Sequence, residues 1–147
     1  MGDPTANDFP YLHGFSPVEQ ERLVKQAQIA ETTIFHDIDY SGCRRLLEVG
    51  SGVGAQTEIL LRRFPQLQAT CIDLSEAQLG AASQRLGAMP WLQDRYALQQ
   101  ADATELPFEP RSFDSGFLCW VLEHVPSPAR VLSEVRRVLA PGSPVYI

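Results

Sequence analysis

The chain has 147 residues, 44% hydrophobic and 20% charged, the make-up of one globular domain able to bury roughly two thirds of its unfolded surface. Twelve basic residues against eighteen acidic give a net charge of −6, which argues against nonspecific nucleic-acid binding and against a polybasic membrane-surface protein. No apolar run approaches the roughly twenty residues of a bilayer span.

The N-terminal Met1-Gly2-Asp3-Pro4 lacks the basic and apolar regions of a secretory signal. Cys43, Cys71 and Cys119 are far apart, odd in number and without a CxxC pair. They are expected to be reduced, in a cytoplasmic protein. His13, His36 and His124 show no ligand spacing with Cys or acidic residues, so no metal site is expected.

Irregular structure is predicted for the first ten residues, which carry Gly2, Pro4, Asn7, Asp8 and Pro10. Ser16-Pro17-Val18-Glu19 then has the form of a capping box with proline at the first helical position. Leu23, Ala27, Ala30 and Ile34 follow at helical spacing, predicting a helix to about His36. Asp39-Tyr40-Ser41-Gly42 reads as a linker.

Short apolar runs then alternate with helical stretches. Strands are predicted over 45–49, 69–72, 96–100 and 113–119, with a further strand opening at 144–147. Helices are predicted over 55–64, from a second capping box at Ser75-Glu76-Ala77-Gln78 to about Gly87, and from Ser127-Pro128 to about Leu139. This alternation predicts an α/β fold: a parallel sheet with right-handed crossovers and helices on both faces. Two parts are expected, an N-terminal segment with a lid-like helix over 1–40 and a ligand-binding domain over 41–147.

Leu47-Glu48-Val49-Gly50-Ser51-Gly52-Val53-Gly54 is a strand, a glycine turn and a helix start. Ligands of parallel sheets gather at the carboxyl ends of strands, where glycines let the backbone approach them closely. Asp73 stands at the end of the next strand, 23 residues after Gly50. A carboxylate there can accept both hydroxyl hydrogens of a ribose. Together these predict a nucleoside-containing ligand. Gly50-x-Gly52-x-x-Ala55 also satisfies a dinucleotide fingerprint, but Glu48 beside the loop would repel a pyrophosphate and suit a cationic ligand.

These residues resemble the first motif of class I S-adenosylmethionine-dependent methyltransferases. Ile72-Asp73-Leu74-Ser75 resembles the second, and Ala101-Asp102-Ala103-Thr104-Glu105-Leu106-Pro107-Phe108 the third. Phe113-Asp114 with Leu122-Glu123-His124-Val125 is similar to the strand-four region, and Val138-Leu139-Ala140-Pro141-Gly142 to the approach to strand five. The resemblance covers about residues 44–147. It implies a Rossmann-like doubly wound sheet and S-adenosyl-L-methionine as cofactor, with S-adenosyl-L-homocysteine as product. It implies methyl transfer to a small molecule by in-line displacement.

By that resemblance Gly50, Ser51 and Gly52 would hold the methionine part, and Glu48 would favour its ammonium group. Asp73 would take the ribose hydroxyls and Leu74 would pack on adenine. Asp102 would accept from the adenine amine, and the Ala103 backbone would meet a ring nitrogen. Cys119, Trp120 and Val121 would line the cofactor and face the acceptor. Gln78 is a further contact candidate, unless its role is only the capping box. His124 is the candidate general base. Tyr11, His13, Arg22 and Gln26 are lid-contact candidates. Cys119 lacks the Pro-Cys setting of cytosine methylation and reads as a packed cysteine.

The family core has seven strands, and this chain has room for four and the start of a fifth. The C-terminal strands are therefore expected to be missing, leaving a sheet edge open to self-association or to a completing chain. Two other readings stay open: a nicotinamide-dependent oxidoreductase, and a noncatalytic cofactor-binding subunit or fragment.

Overall fold

The computed structural model describes residues 16–147. Within them the order is helix α1 (Pro17–Ile34), strand β1 (Arg45–Val49), α2 (Ala55–Arg63), β2 (Gln68–Asp73), α3 (Glu76–Gly87), β3 (Tyr96–Gln100), β4 (Ser115–Leu118), α4 (Pro128–Val138) and β5 (Val145–Tyr146). Short 3-10 turns follow α3 and β4, over Pro90–Leu92 and Leu122–His124. No helix among these residues is long and apolar enough to cross a membrane.

The strands form one parallel sheet in the order β3-β2-β1-β4-β5. Its register sets Val49 beside Ile72 and Leu118, so the ends of β1, β2 and β4 are level. Alternation along the strands divides the core between two faces. Leu46, Cys71 and Phe117 pack with α1, α2 and α3 on one side. Leu47, Val49, Ile72 and Leu118 pack with Val131, Val135 and Val138 of α4 on the other. This is the expected α/β, Rossmann-like arrangement, with the strands, their parallel pairing and the helices on both faces as read from the alternation.

The local signals hold with informative differences. Ser16 caps α1, its hydroxyl accepting from the Glu19 N–H at 3.2 Å, but the Glu19 carboxylate turns to Arg22 rather than back to Ser16. Ser127 makes no side-chain cap; its carbonyl accepts from Arg130 and Val131 instead. The fourth strand is shorter than expected, because Phe113 makes only an isolated bridge to Leu139.

The segment read as a linker is a packed corner. Tyr40 is fully buried between the Phe64 and Tyr146 rings, and its hydroxyl donates to the Gly116 carbonyl of β4 at 2.5 Å. Burial pushes its phenol far above the ordinary range, so it acts as a neutral donor. The corner thus ties the α1 side to the sheet. Tyr40→Phe is expected to lower stability by about 1 kcal/mol in urea denaturation. A variant as stable as the parent would mean that sheet bonds alone satisfy the Gly116 carbonyl.

Candidate functional site

The sheet order reverses between β1 and β4, and the chain leaves the two strands in opposite directions. Such a switch point opens a crevice at the strand ends. A cavity of about 840 Å³ lies there, within the range that holds a small organic ligand. Its walls come from the loops after β1, β2, β3 and β4 and from α1, α2, α3 and α4.

The glycine loop is built from the backbone outward. The Gly50 and Ser51 N–H groups both donate to the Ile72 carbonyl, at 2.8 and 3.0 Å, fastening the turn to the end of β2. Gly50 has φ 71, and a Cβ there would lie 1.8 Å from a Val121 methyl. Only glycine permits both the backbone and that contact. Gly52 has φ 54, and a Cβ there would meet nothing within 4 Å, so this face of the loop opens on free space. The Ser51 hydroxyl is buried with no hydrogen-bond partner.

Asp73 holds the loop from the neighbouring strand. One oxygen accepts from the Gly52 N–H at 2.9 Å and the other from the Ser75 N–H at 2.9 Å. Burial raises its carboxyl above the usual carboxylate range, against these backbone bonds that favour ionisation. Each oxygen keeps a second acceptor site.

At α3 the capping box is only half made. The Ser75 hydroxyl accepts from the Gln78 N–H at 3.2 Å, but Asp73 already occupies the Ser75 N–H. The buried Gln78 side chain is released and its carbonyl accepts from Gln20 of α1 at 3.4 Å. So the capping-box pattern correctly marks the helix start but not the side chain's use.

Asp102 and Ala103 reach the cavity on a loop that α4 holds in place. Arg130 donates to the Thr104 carbonyl, and Arg137 to the Leu106 and Phe108 carbonyls. Glu134 accepts from the Leu106 N–H at 2.9 Å and pairs with Arg137. One Asp102 oxygen accepts from both the Thr104 N–H and hydroxyl. Its other oxygen and the Ala103 N–H make no hydrogen bond among the described residues.

The cavity thus brings together Gly50, Ser51, Gly52, Asp73, Leu74, Gln78, Asp102, Ala103, Cys119, Trp120 and His124, all named from the sequence. Three named residues stand elsewhere. Glu48 lies behind the loop, 2% exposed, and does not line the cavity. Arg22 and Gln26 bond to each other on the exposed flank of α1, and its cavity-lining residue is Leu23. Tyr11 and His13 lie outside the described residues.

Gln56 and Thr104 line the cavity beyond the residues expected there, and Val121 lines it as expected of residues 119–121. Gln56 stands in the first turn of α2, directly after the glycine loop, and that position was the signal available for it. Burial, with Glu48 and Glu123 nearby, pushes the Cys119 thiol up to about 12, which removes nucleophilic thiolate at neutral pH. The charged groups lining the cavity are Asp73 and Asp102, and no Arg or Lys joins them among the described residues.

A Rossmann-like sheet whose glycine loop and two strand-end carboxylates face one crevice defines a nucleoside-binding α/β domain. Residues 47–147 match the family described as methyltransferase domain, and the chain belongs to it. It is 30% identical over 131 residues to trans-aconitate 2-methyltransferase of Acidovorax ebreus (strain TPSY), covering 89% of this chain and 48% of that protein. Haemonchus contortus phosphoethanolamine N-methyltransferase 2, solved with phosphomonomethylethanolamine and S-adenosylhomocysteine, is 27% identical with a TM-score of 0.68, over 82% of this chain and 27% of that one. The [4+2]-cyclase SpnF is 30% identical with a TM-score of 0.66, over 84% of this chain and 42% of that one. The chain spans about half the length of the curated relatives first matched.

Glu48 carries a testable consequence. Thr57 and Cys71 both donate to one of its oxygens, at 2.5 and 3.6 Å. Burial raises its carboxyl to about 7, those bonds oppose the rise, and nearby Asp73 adds to it. A folded value above the unfolded one stabilises the fold fully below about pH 4.5, and the gain is lost as pH rises through about 7. Glu48→Gln is therefore expected to flatten the decline in stability from pH 4.5 to about 8, by on the order of 3 kcal/mol. Asp73 keeps a residual slope of the same sign. Equal slopes in urea denaturation at the two pH values would show that Glu48 titrates normally.

Proposed function

We propose that the chain binds S-adenosyl-L-methionine and forms the cofactor half of an enzyme that methylates a small molecule. The observation that carries this reading is the single cavity shared by Gly50–Gly52, Asp73 and Asp102–Ala103, from three separate strand ends. The residues fit the group. The partnerless Ser51 hydroxyl and the open space at Gly52 suit its polar methionine end. Asp73 has acceptor sites left for ribose hydroxyls. The spare Asp102 oxygen and the Ala103 N–H match the donor and acceptor of an adenine edge.

When bound, S-adenosylmethionine supplies a methyl group that passes to the acceptor's lone pair while the carbon–sulfur electron pair returns to sulfur. The chain's residues bind, orient and exclude water. Two lining carboxylates, with no cation beside them among the described residues, favour a positively charged ligand. That charge balance disfavours the pyrophosphate of a nicotinamide dinucleotide. Glu48 acts from behind the loop rather than by touching the ammonium group. His124 lines the cavity and is the candidate to take a proton from a neutral acceptor. Three free cysteines, two of them buried, support a reducing, cytoplasmic setting.

Isothermal titration with S-adenosylhomocysteine, and NADH as control, tests the reading. The expected result is binding of the former alone, weakened by one to two orders of magnitude in Asp73→Ala through loss of charge-assisted bonds of about 1.5–3 kcal/mol. NADH binding alone would sink the cofactor assignment, and an unchanged affinity in Asp73→Ala would sink the ribose role. Cofactor binding without methyl transfer to any acceptor would favour the noncatalytic alternative.

A further inference from the structure

Strand β3 forms the edge of the sheet opposite to β5. The Ala69 N–H donates to the Arg95 carbonyl and the Ala101 N–H to the Asp73 carbonyl, so Arg95, Ala97 and Gln99 turn their backbone groups to β2. The N–H and carbonyl groups of Tyr96, Leu98 and Gln100 face away from the sheet, and no strand pairs with them among the described residues. Such edges are commonly blunted by a lysine, a proline or a bulge. β3 reads Tyr-Ala-Leu-Gln-Gln, with no charge and no proline, and its register with β2 runs without a bulge.

The surface beside this edge is depleted of charge as well. Residues 77–93 hold one charged side chain, Arg85, although 20% of the whole chain is charged. Arg85 is turned toward α2 by its ion pair with Glu58. Gly80, Ser83 and Gly87 lie on the other flank of α3, and a Cβ on Gly87 would stand 3.8 Å from the Tyr96 hydroxyl of β3. After α3, Trp91 is 44% exposed in the Pro90–Leu92 turn. Leu74 is 56% exposed at the other end of β3, where its carbonyl accepts from the Gln100 side chain. The charged neighbours, Glu76, Asp94, Arg95 and Asp102, stand at the two ends of this strip.

We propose that β3 is a self-association edge, through which two copies of the chain pair antiparallel about a two-fold axis at Leu98 and join their sheets. In that register Leu98 faces Leu98 of the second copy and Tyr96 faces its Gln100, each pair exchanging both backbone bonds. Ala97 and Gln99 face one another on the side of the sheet away from α3, where both are exposed. The two α3 helices run antiparallel beside the seam, and Trp91 of one copy lies toward Leu74 of the other. A partner of opposite charge would be held by ion pairs, for which this edge has no groups. Two chains of charge −6 repel, and a two-fold contact sets groups near the axis against their own counterparts, so a charge-free strip is what such a contact requires. The strand bonds alone bury little area for a stable dimer, and Trp91, Leu74 and the α3 flanks add to it.

Sedimentation of the full chain over a concentration series is expected to show a monomer–dimer equilibrium. Ala97→Lys with Gln99→Lys sets like charges opposite each other across the seam and is expected to weaken the dimer by at least about tenfold. Ala97→Lys with Gln99→Glu sets opposite charges in the same places and is expected to stay within about threefold of the parent. Both positions are exposed, so the two variants are expected to melt with the parent. In the parent, hydrogen exchange at the Tyr96, Leu98 and Gln100 N–H groups is expected to be slow in the dimer and fast on dilution, a readout that needs no variant. A parent that stays monomeric, fast exchange at these groups in the dimer, or equal loss of the dimer in both variants overturns the proposal. A dimer untouched by the paired lysines also overturns it and assigns the contact to another surface.

Discussion

The Asp73 carboxylate joins two turns that would otherwise be independent. It receives the Gly52 N–H from the loop after β1 and the Ser75 N–H from the start of α3. A single side chain at the end of β2 therefore sets both the height of the glycine loop and the entry of the next helix. Burial works against its charge, and the backbone bonds work for it. Each of its oxygens accepts one backbone N–H and keeps a second acceptor site.

Other parts of the site are held by groups that never touch a ligand. Glu48 braces the loop from beneath through Thr57 of α2 and Cys71 of β2, linking three elements at one oxygen. On the far side, α4 presents Arg130, Glu134 and Arg137 to the backbone of the loop carrying Asp102 and Ala103. A loop of irregular backbone needs such partners, because its own N–H and carbonyl groups have no ladder to join. The loops that line the cavity are thus positioned by side chains one layer behind them.

This layering explains what could be read from the sequence. Strand positions, helix starts and the line of cavity residues follow local patterns: alternation, caps, a glycine turn, and acidic residues at strand ends. Tyr40 escaped because Asp39, Ser41 and Gly42 around it spell a linker, while its partners Phe64, Gly116 and Tyr146 are distant in sequence. Gln78 was legible as a cap but not as a bridge, since the outcome turns on Asp73 taking the Ser75 N–H first. Leu23, which reads as part of a packing stripe, lines the cavity, and Arg22 and Gln26 do not, because the phase of a helix is visible in sequence but its rotation against a pocket is not. The supporting role of α4 rests on bonds spanning 26 to 31 residues, which no short motif records.

A second cavity, of about 310 Å³, adjoins the first at Cys119, Trp120 and Val121, and the two differ in charge. The larger one carries two carboxylates and many backbone donors, a surface suited to a polar ligand with a positive charge. The smaller one is mainly aliphatic, with one carboxylate at its edge. The Cys119–Val121 segment belongs to both, so any shift of that segment changes both volumes at once. Gly50 restrains such a shift, because the Val121 methyl already fills the place of its missing side chain. The glycine turn that shapes the first cavity therefore also fixes the wall of the second.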